Sequence, residues 1–147
     1  MRRREFISLV IGATAAWPIA ARAQQPVKRP LIGYLSAVSR ERSLSMIAAF
    51  VDGLRQLDYA EGSEFNLAYR FADGHLDRLP ALADEMVSLR PDVILATVTQ
   101  ATVSVKGRTK AIPIVCPLLA DPIRLGLMAS ESHPGGNVTG VLFRVAG

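Results

Sequence analysis

A single cysteine, Cys116, occurs among the 147 residues, so the chain cannot form an intrachain disulfide. Beside Ile114 and Val115 in an apolar run, it reads as a small buried hydrophobe rather than a reactive thiol. Histidine is almost as scarce. His75 and His133 fall in separate loops, with neither cysteine nor paired carboxylates at ligand spacing, so no metal-binding set is visible. Glycine-rich phosphate turns are also missing: the first apolar run leads into Ser36-Ala37-Val38-Ser39-Arg40-Glu41-Arg42, which is neither a dinucleotide fingerprint nor a phosphate loop. A phosphoacceptor aspartate is lacking at the end of the third run, where Thr97 and Thr99 stand. Ser36, Ser39 and Ser132 lie in no Gly-x-Ser-x-Gly turn. These absences leave catalysis without a residue to carry it, and no cofactor is expected.

Charge is equally uninformative about partners. Of the formal net charge of +4, Arg2, Arg3, Arg4 and Arg22 against Glu5 supply +3, so residues 24–147 carry only +1. Aromatic residues are 6% of the chain and do not interleave with its cations. Only Lys106, Arg108 and Lys110 cluster, and they read as a solvated helix end, so nucleic acid is not an expected partner.

What is present begins with an export signal. Arg3-Arg4-Glu5-Phe6-Ile7 opens an apolar run to Ala21 that is interrupted by Gly12 and Pro18 and closes with Ala21-Arg22-Ala23. That is the form of a twin-arginine leader cleaved after Ala23, over residues 1–23. The run is shorter than the ~20 apolar residues that a membrane span requires. A soluble periplasmic protein follows, with a polar lead at 24–29 and one domain at 30–147.

Within that domain strands and helices alternate. Leu31–Leu35 is a continuous apolar run, as expected of a strand buried on both faces. Leu44, Ile47, Val51 and Leu54 recur at helical spacing behind Ser43, which is expected to cap. Phe65, Leu67 and Tyr69 alternate as in an edge strand. Asp77 and Pro80 start a second helix carrying Leu79, Leu82, Ala83, Met86 and Val87 on one face. Val93–Thr97 is a third strand, and a short helix runs from Thr99 or Gln100 to Lys106. Ile112–Cys116 is a fourth strand, Asp121-Pro122 is expected to start a last helix through Met128, and Val138–Phe143 is a fifth strand. The order predicts a doubly wound, Rossmann-like parallel sheet of about five strands with helices on both faces.

In such sheets ligands bind beyond the carboxyl ends of the strands, where neighbouring connections leave in opposite directions. Thr97, Thr99 and Gln100 are therefore the leading candidates for ligand contact. They offer hydroxyl and amide groups just before a helix whose first amides are free to take a carboxylate. Ser36 and Ser39 come next, while Asp121 reads as a cap.

Several stretches carry a family resemblance. They are the leader through Ala16-Trp17-Pro18, Tyr59-Ala60-Glu61-Gly62, Tyr69-Arg70 with Asp73-Gly74, Asp77 to Ala83, Ile112 to Val115, Asp121-Pro122 with Gly126-Leu127, and Pro134 to Gly140. In order and spacing the chain resembles the exported substrate-binding proteins of ATP-binding-cassette transporters, in a group linked to aromatic amino acids and related small solutes. The resemblance implies a type I periplasmic binding protein fold of two lobes, a small solute held between them, and a permease in the inner membrane as partner. Two departures stand out. Asp58 occupies a place where the family usually has glycine, and Gly147 falls about where such a chain would enter its second lobe. The expectation is thus an amino-terminal lobe without its second lobe, whose exposed inner face leaves dimerisation open. A truncated remnant that binds nothing and an exported flavodoxin-like enzyme are the alternatives.

Overall fold

In a computed structural model, residues 26–144 are described, and the leader read at residues 1–23 lies outside them. The elements are β1 (Leu31–Ser36), α1 (Arg40–Arg55), β2 (Asn66–Phe71), a 3-10 turn (Leu76–Arg78), α2 (Leu79–Ser88), β3 (Val93–Ala96), α3 (Thr99–Lys106), β4 (Ile114–Leu119) and β5 (Val138–Leu142). The five strands form one sheet in the order β2-β1-β3-β4-β5. Every pairing is parallel. The alternating strand β2 is indeed an edge, and the continuous apolar run of β1 lies inside the sheet.

The two sheet faces are covered unequally. Leu35, Ile94, Ala96, Ile114 and Cys116 point to the face under α2 and α3, where they pack with Leu79, Leu82, Met86, Ala101 and Val105. Gly33 lets α2 approach, since a Cβ there would stand 2.4 Å from the Met86 sulfur. Burial also pushes the Cys116 thiol above its usual pKa, as suits a packing residue. The opposite face carries Tyr34, Leu95 and Val115 in register, with Tyr69 beside Tyr34 on the edge strand. Among the described residues, α1 is the helix on this face. A helix about 10 Å wide cannot cover five strands set ~4.8 Å apart, and its own stripe of Ile47, Val51 and Leu54 is only half-buried. Leu44 stays 54% exposed.

Several local expectations change. Ser39, not Ser43, caps α1, its side chain accepting from the Arg42 amide; Ser43 sits one turn in and is the helix's buried residue. The α1 end closes with bonds from Asp58 N to Arg55 O at 3.1 Å and from Tyr59 N to Leu54 O at 2.9 Å, the Schellman pattern. That pattern needs a left-handed residue, and Asp58 supplies it at φ 65° in place of glycine. Strand β4 begins two residues later than expected and continues through Pro117, with a register shift between Cys116 and Leu119. The helix expected from Asp121 does not form. Asp121 has φ 45° instead of the extended backbone of an N-cap, and Gly126 at φ 68° turns the chain away after one turn.

Tyr34 is the one buried side-chain polar group without a hydrogen bond among the described residues. Its ring packs 5.7 Å from Tyr69 and 6.2 Å from Phe71, and the Arg40 guanidinium lies 5.4 Å over Tyr69. Burial raises the phenol's pKa, and the nearby Ser43 hydroxyl offsets part of that. Ser43 gives its proton to the Ser39 carbonyl at 2.9 Å, and no hydrogen bond joins it to the Tyr34 hydroxyl. Because the folded phenol's pKa is raised, its ionisation costs the fold stability: that loss is absent below pH ~10 and grows as pH climbs toward the folded value. Because that buried hydroxyl has no partner, Tyr34→Phe should stabilise the fold by about 1 kcal/mol at pH 7. Urea melts at pH 7 to 11 should show a shallower alkaline loss in the variant; an unchanged alkaline slope would assign that loss to other groups.

Candidate functional site

The site follows from the strand order. The connection from β1 crosses outward to the edge strand β2, whereas that from β3 runs the other way to β4, which leaves a crevice at the carboxyl ends of β1 and β3. Leu35 and Ala96 are paired neighbours there. The Thr97 amide bonds to the Leu35 carbonyl at 3.1 Å, so Ser36 and Thr97 leave the sheet side by side.

The five candidate residues meet along this rim but are not equally free. Ser36 is 1% exposed. Its hydroxyl pairs with that of Ser43 at 3.1 Å and accepts from the Val38 amide at 3.3 Å. Because the Ser43 proton is committed to the Ser39 carbonyl, Ser36 is the donor in that pair. Ser39 spends its hydroxyl on the α1 cap. These two serines thus hold the β1–α1 loop in shape.

Thr99 acts as a brace. Its hydroxyl donates to the Leu118 carbonyl at 3.4 Å and accepts from the Ala120 amide at 2.9 Å, tying the start of α3 to the end of β4. Thr97 is buried to 4%, yet its hydroxyl takes no partner among the described residues and is not sealed from solvent. Gln100 is exposed in the first turn of α3. Val98, at the cap position, gives no side-chain hydrogen bond. The first-turn amides of α3 are consequently left for water or a ligand, beside one free hydroxyl and one free carboxamide.

Ser43 was the functional-site contributor not read from the sequence as such. Its spacing four residues behind Ser39 suits a helix interior as well as a cap, so only the backbone at Ser39 separates the two roles. Asp121, read as a cap, pairs instead with Arg124 at 3.0 Å on the same rim.

Comparison with known proteins accords with this geometry. Residues 32–143 match the family described as ABC transporter substrate binding protein. A tyrosine-binding protein from Clostridioides difficile (strain R20291) is 31% identical over 91 residues, which is 62% of this chain and 26% of that protein. An ABC domain from Streptococcus pneumonia solved in complex with L-Trp superposes with a TM-score of 0.69 at 28% identity, covering 78% of this chain and 39% of that one. A substrate binding protein with adhesive properties from Clostridium difficile, in a ligand-free, open structure, gives a TM-score of 0.72 at 25% identity, covering 80% and 40%. The chain therefore spans about a quarter to two fifths of the length of these relatives. With a parallel sheet, a switch-point crevice and a match along nearly all of the described domain, this chain belongs to the ABC transporter substrate-binding protein family.

Proposed function

We propose that this chain is the amino-terminal lobe of an exported solute-binding protein that captures an amino acid and hands it to an inner-membrane permease. It acts by binding and closure rather than by catalysis, after export through the twin-arginine leader and cleavage behind Ala23. The observation that carries the solute reading is the uncapped start of α3 at the switch point. Free amides at a helix amino end attract a carboxylate, and the Thr97 hydroxyl and Gln100 carboxamide stand ready to complete its shell. One relative solved with L-Trp and another named a tyrosine-binding protein support an amino acid as the solute.

One lobe offers one wall of a cleft, whereas a working pocket buries ~70–90% of its ligand. The chain alone should consequently bind L-tyrosine or L-tryptophan with a dissociation constant of about 1 mM or weaker, near 4 kcal/mol of binding free energy. Titration followed by amide chemical shifts should move Thr99, Gln100 and Ala101, and Thr97→Val should weaken binding about threefold to tenfold by removing one hydrogen bond. Micromolar affinity in the lone chain, or shifts confined to other parts of the fold, would overturn the reading.

A further inference from the structure

The face of the sheet under α1 is closed only in part. Burial falls off from strand to strand on that side: Tyr34 on β1 is 1% exposed and Leu95 on β3 is 7%, but Val115 on β4 is half-buried and Val141 on β5 is 67% exposed. Leu118, which stands toward Val141 past the register shift, is 43% exposed. The cover of α1 therefore ends near β4, and a strip two strands wide is left open.

The strip is apolar and uncharged. Strand β4 reads Ile-Val-Cys-Pro-Leu-Leu and β5 reads Val-Thr-Gly-Val-Leu, with no acid or base in either. Two strands side by side over the length of β5 measure about 10 Å by 17 Å, or ~170 Å². That is far below the ~800 Å² per partner of a stable dimer, so a second copy of the chain is a poor occupant.

A segment of matching chemistry belongs to the same chain. Ile7 to Ala21 is uncharged throughout and carries Leu9, Val10, Ile11, Trp17 and Ile19. It spans ~22 Å if wound as a helix and more if extended, so it covers the length of the strip either way. Residues 22–30 join it to β1, and 26–30 are exposed rather than packed on the domain. Because every strand pairing is parallel, this tether enters at the end of the sheet where β4 and β5 begin. It reaches ~30 Å at full extension, whereas the middle of the strip lies two to three strands from β1, about 12 Å away. A short tether also holds the run at a millimolar effective concentration, which no free partner matches.

We propose that the open strip on β4 and β5 is the docking site of the chain's own residues 7–21, so that the leader masks this face until it is cut away behind Ala23. The inference uses the apolar run and not the solute-binding reading, and stands or falls apart from it.

Trp17 is the only tryptophan in the sequence, so the tryptophan emission of the full chain reports on this segment alone. Expected for residues 1–147 is emission at shorter wavelength than that of N-acetyltryptophanamide, weaker quenching by acrylamide, and no dependence on protein concentration. Leu9→Asp and Val141→Asp, one on each side of the contact, should each lower the docked-to-free ratio about tenfold by pressing a carboxylate against an apolar surface. Val27→Ser, in the exposed lead, should leave it unchanged. Val141 is a surface residue and Leu9 lies outside the described domain, so neither aspartate threatens the core. Amide shifts between wild type and Leu9→Asp should fall on Val115, Leu118 and Val141. Emission like that of the free amide, indifference to both aspartates, or shifts confined to α2 and α3 would overturn the proposal. Burial of Trp17 that fades on dilution would overturn it too, by assigning the strip to a neighbouring copy.

Discussion

Gly140→Ala is expected to destabilise the domain by about 3 kcal/mol, the upper end of ordinary overpacking. A Cβ built on Gly140 would stand 2.0 Å from the Cys116 carbonyl oxygen and 2.9 Å from its carbon. Both are backbone atoms of the adjacent strand, so no rotamer change relieves the contact and the strands themselves must part. The close approach arises where β4 shifts register around Pro117, which has no amide hydrogen to give to the ladder. Two residues back along both strands, the paired Ile114 and Val138 are buried at 0% and 1%, so separating the strands opens the core as well. By contrast Gly33→Ala meets side chains, chiefly the flexible end of Met86 with Ile94 behind it, and should cost less. Urea titration of both variants checks the ranking. A loss below ~1 kcal/mol for Gly140→Ala would mean that β5 slides without disturbing its neighbours.

Asn137→Ala should cost about 2–3 kcal/mol, because one side chain ties together three segments. Its Oδ1 accepts from the Lys106 ammonium at 2.6 Å, and its Nδ2 donates to the Thr109 and Ile112 carbonyls at 3.1 and 2.8 Å. The same residue's carbonyl accepts from the Ile114 amide at 2.7 Å. Truncation strands a partly buried ammonium and two carbonyls at once, at the amino end of the sheet and far along the strands from the solute rim. Asn137→Asp keeps the Lys106 contact but loses both donations, so its loss should fall between those of wild type and Asn137→Ala in the same urea assay. Equal losses for the two variants would place the whole effect in the carbonyl bonds. Solute binding by the folded fraction should be unaffected, which distinguishes a staple from a ligand contact.

Much of the architecture was legible because its signals are local and periodic. The unbroken apolar run of β1 and the alternation of Phe65, Leu67 and Tyr69 place one strand inside the sheet and the other at its edge, as found. The strand ends were legible for the same reason, whereas the switch in crossover direction is set by the order of strands in the sheet, which element order alone does not give. Hydroxyl bookkeeping was not legible. Ser36, Ser39, Thr97 and Thr99 look alike in sequence, yet only the fold shows that three of them are engaged by Ser43, Arg42, Leu118 and Ala120. The segment after Asp121 misleads in another way. Asp-Pro is a good helix start, but the left-handed turn at Asp121 and the one at Gly126 make a wall for a rim cavity instead. Ile123, Arg124, Glu131, Phe143 and Arg144 meet there only because β4 and β5 end together, and no spacing in the chain announces it.

The lopsided cover of the sheet has a consequence for motion. A helix held by a single buried serine and a half-sunk stripe is expected to open before the layer of α2 and α3, which hydrogen exchange would show as earlier loss of its amide protection. Each such excursion releases the Ser36 hydroxyl from Ser43, so the loop that flanks the crevice loosens and resets without any melting of the interior. The expected contrast is a quiet side under α2 and α3 and a more mobile side beside the switch-point crevice.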